Sequence, residues 1–459
     1  MHRMKAVGGL LSLLLMLACV VYLAMGEGDG GTNRLNRPPE SGMFSMSRPG
    51  AATKKPTIAS SRSVQATPVG RSYYVSADGT DSKNGSITKP FRTLAKGVSV
   101  LKPGDTLFVR GGTYLASSQL GDIPSGSSWS APVTVRAYPN EIVTLVAEPG
   151  YQVLYFNNGN HHIIIDGFII EAKGAVNGVK ITYNSTGAGS HHIRIINSEI
   201  KNATYSGILT AGKSFGVGSN EFIDCSVHDN GTRQSFDHGI YLECDNELVD
   251  GCEIYNNAAY GIHIWEDDAS NITVRNCLVY SHEGAAGILI GTGNGHKIYN
   301  NVVYSNSWGI AIFYGGGGAV FNNTVCENVI GIYVCCRAAS STIDNNIVFS
   351  NVGAGIYIED GTVAEQTCRN NLSSHNGGGD LVDKFNRATG TNNLLGAQYD
   401  PKFVDPASHD YRLGAESSAL DSGLTIEQLT TDALGKSRPK GIALDIGAYE
   451  RKPKRVKQP

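Results

Sequence analysis

Two neighbouring segments of the sequence combine histidine, tyrosine and aspartate in a way that suits proton transfer. The first contains Asp237, His238 and Tyr241, and the second contains His263. Histidine and tyrosine can exchange protons in enzyme sites, and a carboxylate can orient a histidine ring. The predicted roles are therefore a base at His263 or His238, an acid at Tyr241 and an orienting partner at Asp237.

These groups fit the removal of a proton next to a carboxylate, at C5 of a uronate sugar. The reaction needs a base, an acid and a group that neutralises the carboxylate. Loss of the 4-O substituent after proton removal would make the protein a lyase. Return of a proton from the opposite side would make it a C5-epimerase. Histidine and tyrosine on an exposed β-face also form plain cross-strand pairs, so a purely structural interpretation stays open.

Further residues on the same predicted face could hold a sugar polymer. Aromatic rings stack on sugar rings, and an arginine can neutralise a uronate carboxylate. The candidates for substrate binding are Glu243, Trp265, Phe313, Tyr333 and Arg337. For Trp265, stacking against its protein neighbours is the structural alternative.

The acidic run Glu266, Asp267 and Asp268 directly follows this region. Calcium takes several oxygen ligands, which would have to converge from neighbouring loops. The run is therefore either a calcium site or a solvated turn, and calcium is the one cofactor that the sequence suggests. The nine cysteines show no spacing typical of metal ligands.

A repeated Gly-apolar-x-apolar tetrad positions all of these residues. Its eight copies are GVKI at Gly178, GILT at Gly207, GIYL at Gly239, GIHI at Gly261, GILI at Gly287, GIAI at Gly309, GIYV at Gly331 and GIYI at Gly355. The shortest spacing between copies is 22 residues (Gly239 to Gly261) and the longest is 32 (Gly207 to Gly239), so insertions lengthen some repeats. Internal repeats of this size are typical of solenoid proteins.

Two further short apolar segments lie between consecutive tetrads, separated by Gly and Asn. Three short strands in each repeat predict one triangular coil, and stacked coils bury a continuous core. The predicted fold is an all-β right-handed parallel β-helix with about 22 residues per coil. Alternation along a strand should point Ile240 and Leu242 inward and Tyr241 and Glu243 outward. A leucine-rich or helical repeat is excluded because no segment between the tetrads has helical periodicity.

Asparagine and cysteine recur at the turn positions of successive coils. We expect an asparagine ladder, with one amide per coil, at Asn301, Asn323, Asn346 and Asn371. Cys225, Cys252 and Cys277 occupy the same column in earlier coils. They are either stacked free thiols or partners in a disulfide between neighbouring coils, because the coil spacing permits that bond.

The N-terminal residues 1–26 resemble an export segment, with Arg3 and Lys5 before an uncharged apolar stretch. A cleaved signal peptide, an uncleaved membrane anchor and a lipoprotein with Cys19 as the modified residue are the three alternatives. Residues 27–70, rich in Gly, Ser, Pro and Thr, predict a flexible linker. The protein is therefore expected to be secreted, periplasmic or on the cell surface.

The folded body is predicted to begin at Arg71 with a strand, followed by a helix within Phe91–Leu101 that would cap the open end of the β-helix. Three segments of the sequence resemble segments of secreted bacterial β-helix proteins. They are YYVSADGTDSKNG, the KPFRTLAKGVSVLKPGDTLFVRGGTY that follows it, and the closing DIGAYE. Together with the coils, they resemble the pectate-lyase-like superfamily of polysaccharide-active proteins. The segment Phe236-Asp237-His238 is also similar to the Asp-Pro-His motif of mannuronan epimerases, without its proline.

This resemblance implies a carbohydrate-active protein, but lyases, hydrolases, epimerases, esterases and adhesins share the scaffold. The phrases typical of polygalacturonase-type hydrolases, Asn-Thr-Asp, Gly-Asp-Asp, Gly-His-Gly and Arg-Ile-Lys, do not occur. A uronate lyase or C5-epimerase is therefore the leading hypothesis. A non-catalytic glycan-binding or scaffold protein is the alternative, followed by a glycoside hydrolase.

Composition limits the partners of the protein. The chain has 459 residues, a net charge of −3 and 56 glycines, with only 17% charged residues. No broad basic field is present, so nucleic acid is not an expected partner. We expect a monomer that binds an extracellular polysaccharide and contacts a membrane only through an uncleaved N-terminal segment.

Four regions follow: residues 1–26 as signal peptide or anchor, 27–70 as linker, 71–376 as the β-helix with its N-terminal cap, and 377–459 as irregular C-terminal coils with a basic tail. The last region has fewer repeat signals. We expect it to pack over the last coil, with a short helix at Ile426–Leu434.

Overall fold

A computed structural model describes residues 70–117, 120–266, 268–282, 284–359 and 363–452. The predicted export segment, nearly all of the linker and the end of the basic tail lie outside the described residues. Within the described residues, no helix is long and apolar enough to cross a membrane.

The described chain forms three long parallel sheets of 13, 12 and 10 strands, as the repeat predicts, and a complete coil contributes one strand to each sheet. Sheet 1 consists of Ser72–Val75, Thr106–Val109, Val133–Ala137, His161–Asp166, His191–Ile196, Glu221–Ile223, Leu248–Asp250, Thr273–Arg275, His296–Tyr299, Gly318–Phe321, Thr342–Asp344, Gln366–Arg369 and Ala388–Thr389. Sheet 2 consists of Gly112–Leu115, Val143–Val146, Ile169–Glu171, Glu199–Lys201, Ser226–His228, Glu253–Tyr255, Leu278–Tyr280, Val302–Tyr304, Thr324–Cys326, Ile347–Phe349, Leu372–Ser374 and Leu394–Leu395.

The third sheet carries the glycine tetrads and is named the tetrad sheet. It consists of Leu154–Phe156, Val179–Ile181, Ile208–Thr210, Ile240–Leu242, Ile262–Ile264, Ala286–Ile290, Trp308–Ile312, Ile330–Val334, Ile356–Ile358 and Leu381–Asp383. The spacing between coils along the solenoid is about 25 residues. In this sheet, the strands that start at Ile240 and Ile262 are 22 residues apart, and those that start at Ile208 and Ile240 are 32 residues apart. The predicted parallel β-helix is therefore confirmed.

The apolar residues of the tetrads form the core, because each strand alternates between the inside and the outside of the coil. Ile240 and Leu242 are fully buried, while Tyr241 and Glu243 lie on the outer face and are half-buried. The tetrad glycines allow the coils to stack closely. A Cβ atom at Gly261, for example, would lie 2.6 Å from the carbonyl oxygen of Gly287 in the next coil.

The predicted asparagine ladder is present. The amide of Asn301 donates to Asn323, that of Asn323 to Asn346 and that of Asn346 to Asn371, each at 3.0 Å. A second ladder that was not predicted connects Asn306, Asn328, Asn351 and Asn376. The column of Cys225, Cys252 and Cys277 consists of buried free thiols, so the disulfide alternative for these residues was wrong.

A short helix, α1 (Leu94–Ser99), lies between the first two strands of sheet 1. Thr93 caps it by accepting a hydrogen bond from the backbone N–H of Lys96 at 3.1 Å. Leu94 and Val98 are buried in the same core as the first coil. The function of α1 as a lid over the open end stays a prediction.

The parallel ladders continue past Asn376 as far as Leu395, one coil beyond the predicted boundary. An antiparallel pair, Phe403–Asp405 and Asp410–Leu413, follows, with a 3-10 helix at Pro406–Ser408 between its strands; a second 3-10 helix lies at Lys213–Phe215.

The C-terminal segment lies against the outer face of sheet 2 rather than over the last coil. Tyr411 packs there with Tyr304 and Cys326. The predicted helix at Ile426–Leu434 is wrong, because turns occupy that stretch. The closing residues 445–450 form no strand, although Ile446 and Ala448 are fully buried.

Candidate functional site

The predicted catalytic residues meet on the outer face of the tetrad sheet. The strands Ile240–Leu242 and Ile262–Ile264 pair in parallel, and this register places Tyr241 directly beside His263. Their rings stack at a centroid distance of 4.8 Å and an interplanar angle of 7°. Three of the four predicted catalytic residues, together with the neighbouring aromatic rings, form one group, which we name the aromatic-histidine cluster: His238, Tyr241, Tyr260, His263 and Trp265.

The two histidines of this cluster contact each other. His263 Nδ1 and His238 Nε2 are 2.9 Å apart, so one of the two nitrogens donates a hydrogen bond to the other. The remaining nitrogens, His238 Nδ1 and His263 Nε2, are buried and have no hydrogen-bond partner among the described residues. Burial lowers the pKa of His238 to about 3 and that of His263 well below its ordinary value. Both imidazoles are therefore neutral at physiological pH.

The histidines are less accessible than an outward position on an exposed β-face suggests. His263 is 1% exposed and His238 is 2% exposed. Tyr260 lies 4.7 Å from His263 and 5.3 Å from His238, and Trp265 lies 5.8 Å from His263, measured between ring centroids. These aromatic rings cover the imidazoles, so a polymer would contact His263 only after the cover moves. Tyr241 is the half-buried member of the predicted catalytic set.

Asp237 does not orient either histidine through a hydrogen bond. Its carboxylate is fully buried and accepts hydrogen bonds from the guanidinium of Arg233, at 2.6 Å from Nη2, and from the backbone N–H groups of Thr232 and Arg233. Burial alone would raise the pKa of Asp237, but these hydrogen bonds outweigh it and hold the pKa below its ordinary value. Asp237 therefore fixes the Thr232–Phe236 insertion in front of the cluster.

Trp265 is buried against residues of the neighbouring coils. Its indole lies edge-to-face with Tyr314 at 5.1 Å. A Cβ atom at Gly291 would collide with this indole, so the glycine in that column makes room for the tryptophan. Glu243, in the same outward column, is half-buried.

Two of the predicted substrate-binding residues belong to an apolar patch on the same face, which we name the aromatic floor. Phe313 and Tyr333 are buried there, 5.3 Å apart between ring centroids. The other buried members are Ala286, Leu289, Ala311 and Cys335, with Tyr260, Trp308, Tyr314, Ile330, Cys336 and Tyr357 packed against them. The tyrosine hydroxyl of Tyr333 donates to the carboxylate of Glu359.

Arg337 is exposed at the edge of the aromatic floor. It follows a disulfide between the adjacent residues Cys335 and Cys336, which no spacing in the sequence predicts. Cys336 and Arg337 both have positive φ, at 60° and 64°, so the bond closes a tight turn at the end of a tetrad strand.

The acidic run beyond Trp265 gives no support to a calcium site. Glu266 and Asp268 are exposed, and Asp267 lies outside the described residues. Lys213 donates to the backbone carbonyl of Asp268 at 2.8 Å and pairs with Asp245 at 2.9 Å, so an ammonium group already lies among these oxygens. No three His, Cys, Asp or Glu side chains in the described part of the chain form a metal-binding group.

Sequence reasoning missed the residues that cover the site. Tyr260 and Trp308 each directly precede a tetrad glycine, as His238 does. The backbone N–H of Gly239 donates to the carbonyl of Tyr260, which places the residues before the glycines in one column. The aromatic residues and the histidine that directly precede a tetrad glycine were the signal that could have identified this column.

Comparison with known proteins agrees with this architecture. Residues 73–393 match the family described as Pel9A-like, right-handed beta helix region, and this match covers more than two thirds of the chain. The protein is thus a right-handed parallel β-helix protein. It belongs to the Pel9A-like β-helix family.

Two curated relatives are similar to parts of the chain. The pectate lyase PEL9 of Emericella nidulans is 39% identical over 75 residues, which are 16% of this chain and 18% of that protein. The uncharacterized protein YwoF of Bacillus subtilis is 28% identical over 270 residues, 51% of this chain and 56% of that protein. The chain thus spans about half or less of the curated relatives that it matches.

Solved structures share the fold at low sequence identity. The crystal structure of pectate lyase Pel9A superimposes with a TM-score of 0.61 at 18% identity, over 83% of this chain and 97% of that chain. The complex of XylC with xylose gives a TM-score of 0.54 at 13% identity, over 83% and 99%. A glycoside hydrolase gives 0.51 at 11% identity, over 76% and 100%. At these identities the likeness concerns the fold alone.

Proposed function

We propose that this protein is an exported enzyme that cleaves or epimerises a uronate-containing polysaccharide on the outer face of the tetrad sheet. The observation that carries the proposal is the hydrogen-bonded pair of neutral histidines His238 and His263, which lies beside Tyr241 and next to the aromatic floor. Membership in the Pel9A-like family and the local similarity to a pectate lyase support the substrate class.

In the proposed reaction, a neutral imidazole of the His238–His263 pair removes the C5 proton of a uronate. Neutral imidazole is the form that can accept a proton, and burial keeps both rings in that form but also lowers their basicity. The proposed reaction therefore requires the cover of Tyr260 and Trp265 to move, which admits the substrate and lets the imidazole accept the proton. In a lyase, the C4–O bond then breaks, Tyr241 protonates the departing oxygen and a C4=C5 double bond remains. In an epimerase, Tyr241 returns a proton to C5 from the other face and no bond of the chain breaks.

The neighbouring residues supply binding in this proposal. Phe313, Tyr333 and Trp265 are nearly buried, so in this proposal they offer sugar rings only their exposed edges. Arg337 is the proposed partner of a uronate carboxylate. Glu243 is placed to accept hydrogen bonds from sugar hydroxyls. The expected substrate is an extracellular polymer, since the N-terminal segment predicts export.

The test is incubation of the purified protein with a panel of uronate polysaccharides, with and without calcium. A lyase generates ultraviolet absorbance from the unsaturated product, and an epimerase incorporates deuterium from D₂O at C5 without that absorbance. Tyr241→Phe and His263→Ala should each reduce the rate by about 10²–10⁴-fold, the usual contribution of a general acid or base. Lys297→Gln, on sheet 1, is the matched control and should leave the rate unchanged.

A second candidate function is glycan binding without catalysis, which the burial of both histidines favours. In that case the polymers bind, but neither product absorbance nor deuterium exchange appears. Such a result on every polymer of the panel would contradict the enzymatic proposal. A reducing-end assay on the same samples detects glycoside hydrolysis, the remaining alternative.

A further inference from the structure

The C-terminal segment forms a cavity beside sheet 2. Its volume is about 600 Å³, a size that suits a small ligand or a short stretch of a polymer. Leu413 and Tyr449 line its floor and are buried against residues of sheet 2, so the floor is fixed to the solenoid. Five cationic residues also line this cavity, which we name the basic cavity: Arg412, Lys436, Lys440, Arg451 and Lys452.

Two carboxylates at the basic cavity are already neutralised. Asp410 forms a two-point ion pair with Arg412, through Nε at 2.7 Å and through Nη2. Glu450 is buried, and its oxygens accept hydrogen bonds from two backbone N–H groups, one of them that of Lys440. The buried guanidinium of Arg438 lies 3.4 Å from the same carboxylate. Neither carboxylate is therefore left to pair with the remaining cations.

Four cations of the cavity form no ion pair with a carboxylate of the described residues: Lys436, Lys440, Arg451 and Lys452. The ammonium of Lys440 donates to the hydroxyl of Ser437, and the guanidinium of Arg451 donates to the backbone carbonyl of Leu413 at 2.6 Å. Both of these oxygens are neutral. The four positive charges of the cavity therefore remain available to an anionic ligand.

This concentration of positive charge does not follow from the overall composition, because the whole chain has a net charge of −3. The sequence adds three more cations shortly after Lys452, at Lys454, Arg455 and Lys457. Like charges that are held close together repel each other and destabilise the folded chain. An anionic ligand in the cavity would relieve this repulsion.

We infer that the basic cavity is a second binding site for an anionic polysaccharide, which it holds through uronate carboxylates. The class of polymer rests on the proposed function. Lysine and arginine form charge-assisted hydrogen bonds with carboxylates. The exposed Val404 and the aliphatic stems of the lysines add apolar surface for the sugar ring. A uronate unit presents a carboxylate and an apolar ring face together, so it matches both parts of the lining.

The lining favours a uronate polymer over a nucleic acid. Proteins that bind single strands combine a basic groove with aromatic rings on which the bases stack. Among the described residues that line the basic cavity, the one aromatic ring is that of Tyr449, which is only 5% exposed. A base would therefore find no open ring face there.

The basic cavity lies beside sheet 2, whereas the proposed reaction takes place on the tetrad sheet. A polymer held at the cavity raises the effective concentration of its other segments near the tetrad sheet. Loss of the cavity should therefore raise KM for long polymers and leave kcat unchanged. KM for oligomers too short to reach both places should not change.

The test is calorimetric titration of the purified protein with a galacturonate hexamer and, separately, a mannuronate hexamer. The wild-type protein should bind two hexamers per chain, one at the tetrad sheet and one at the basic cavity. The variant Lys436→Gln/Lys440→Gln/Lys452→Gln should keep the first site and weaken the second by at least about tenfold, because each exposed ion pair contributes up to about fivefold. Binding at the cavity should disappear at a salt concentration of about 1 M, where charges are screened over about 3 Å.

The matched control is Lys83→Gln/Lys89→Gln/Lys102→Gln, which removes the same charge from three exposed lysines near the first coil. It should still bind two hexamers, and circular dichroism should show unchanged β-structure in both variants. The uncharged hexamer maltohexaose should not bind at the cavity, because it lacks carboxylates.

The inference and the proposed function fail in different ways. If the tetrad sheet binds no uronate, the wild-type protein binds one hexamer and the cavity variant binds none. If the cavity inference is wrong, the cavity variant and the control variant bind the hexamers alike. Equal binding of maltohexaose at the cavity would also overturn the inference. Tighter binding of a single-stranded oligonucleotide that the cavity variant loses would overturn it in favour of a nucleic acid.

Discussion

The neutral histidines His238 and His263 should lower the free energy of unfolding at acidic pH. An unfolded histidine has a pKa of about 6.5, whereas burial lowers the pKa of His238 in the folded chain to about 3. Between these two values the unfolded state binds a proton that the folded state does not, so the free energy of unfolding falls as the pH falls. The slope is up to about 1.4 kcal/mol per pH unit for each such histidine.

Urea unfolding between pH 7 and pH 4 measures this slope. The variant His238→Gln/His263→Gln is expected to be less stable at pH 7, because the ring packing is lost, but to lose stability less steeply in acid. His375→Gln, an exposed histidine, serves as the control and should keep the wild-type slope. Equal slopes in the double variant and the wild-type protein would show that the buried pair is not the acid-sensitive element.

At the scale of the elements, the asparagine ladder ties successive coils together. Asn323 is fully buried, and its side chain takes part in four hydrogen bonds. Its amide nitrogen donates to Ile298 and Asn346, and its amide oxygen accepts from the backbone and the side chain of Asn301. Asn323→Ala leaves buried partners unsatisfied and should lower the free energy of unfolding by about 2–4 kcal/mol. Chemical denaturation measures the change.

The exposed Asn294 supplies the control for this prediction, because its side chain belongs to no ladder among the described residues. Asn294→Ala should change the free energy of unfolding by less than about 0.5 kcal/mol. If both variants lose the same small amount, the ladder contributes little beyond the backbone pairing of the coils.

The repeated tetrad made the strands of the tetrad sheet and their register predictable from the sequence. A glycine at a fixed place in each coil sets the register, so the pairing of Tyr241 with His263 followed from counting residues alone. The burial of His263 did not follow from that count. It results from Tyr260 and Trp265, whose ring positions depend on packing between coils, and from the space left by Gly291. Contacts between side chains that do not recur at the same position of each coil have no periodic signature in a single sequence.

The structure of the C-terminal region could not be predicted from the repeat either. Where the repeat fades after Asn376, neither the extra coil nor the packing of Tyr411 against sheet 2 could be predicted. The disulfide between Cys335 and Cys336 is a further example, because it depends on the local turn rather than on a periodic spacing. Sequence periodicity thus predicts which residues share a column, and packing decides which of them solvent can reach.

At the scale of the whole molecule, the tetrad sheet is a long face on which the proposed catalytic and binding residues are ordered along the axis. The coil of Tyr241 and the coil of Tyr333 are separated by four steps of pairing, through His263, Leu289 and Ala311. At about 4.8 Å per coil, the separation is about 19 Å. A polymer that lies along the axis would therefore meet Tyr241 and the Tyr333 end of the aromatic floor, beside Arg337, at the same time, whereas a short oligosaccharide would reach one of them.

This arrangement predicts that affinity rises with oligosaccharide length until the ligand spans both places. Arg337→Gln should weaken the binding of long uronate oligomers by about 0.2–1 kcal/mol, up to roughly fivefold, because an exposed charge pair contributes that amount. Binding of the shortest oligomers at the Tyr241 end should not change. Calorimetry with a length series, at low and at high salt, measures both effects, and Lys297→Gln on sheet 1 is the charge-matched control. A uniform loss at every length would show that even the shortest oligomers contact Arg337, and it would favour binding across the coils rather than along them. No loss at any length would place Arg337 outside the path of the polymer.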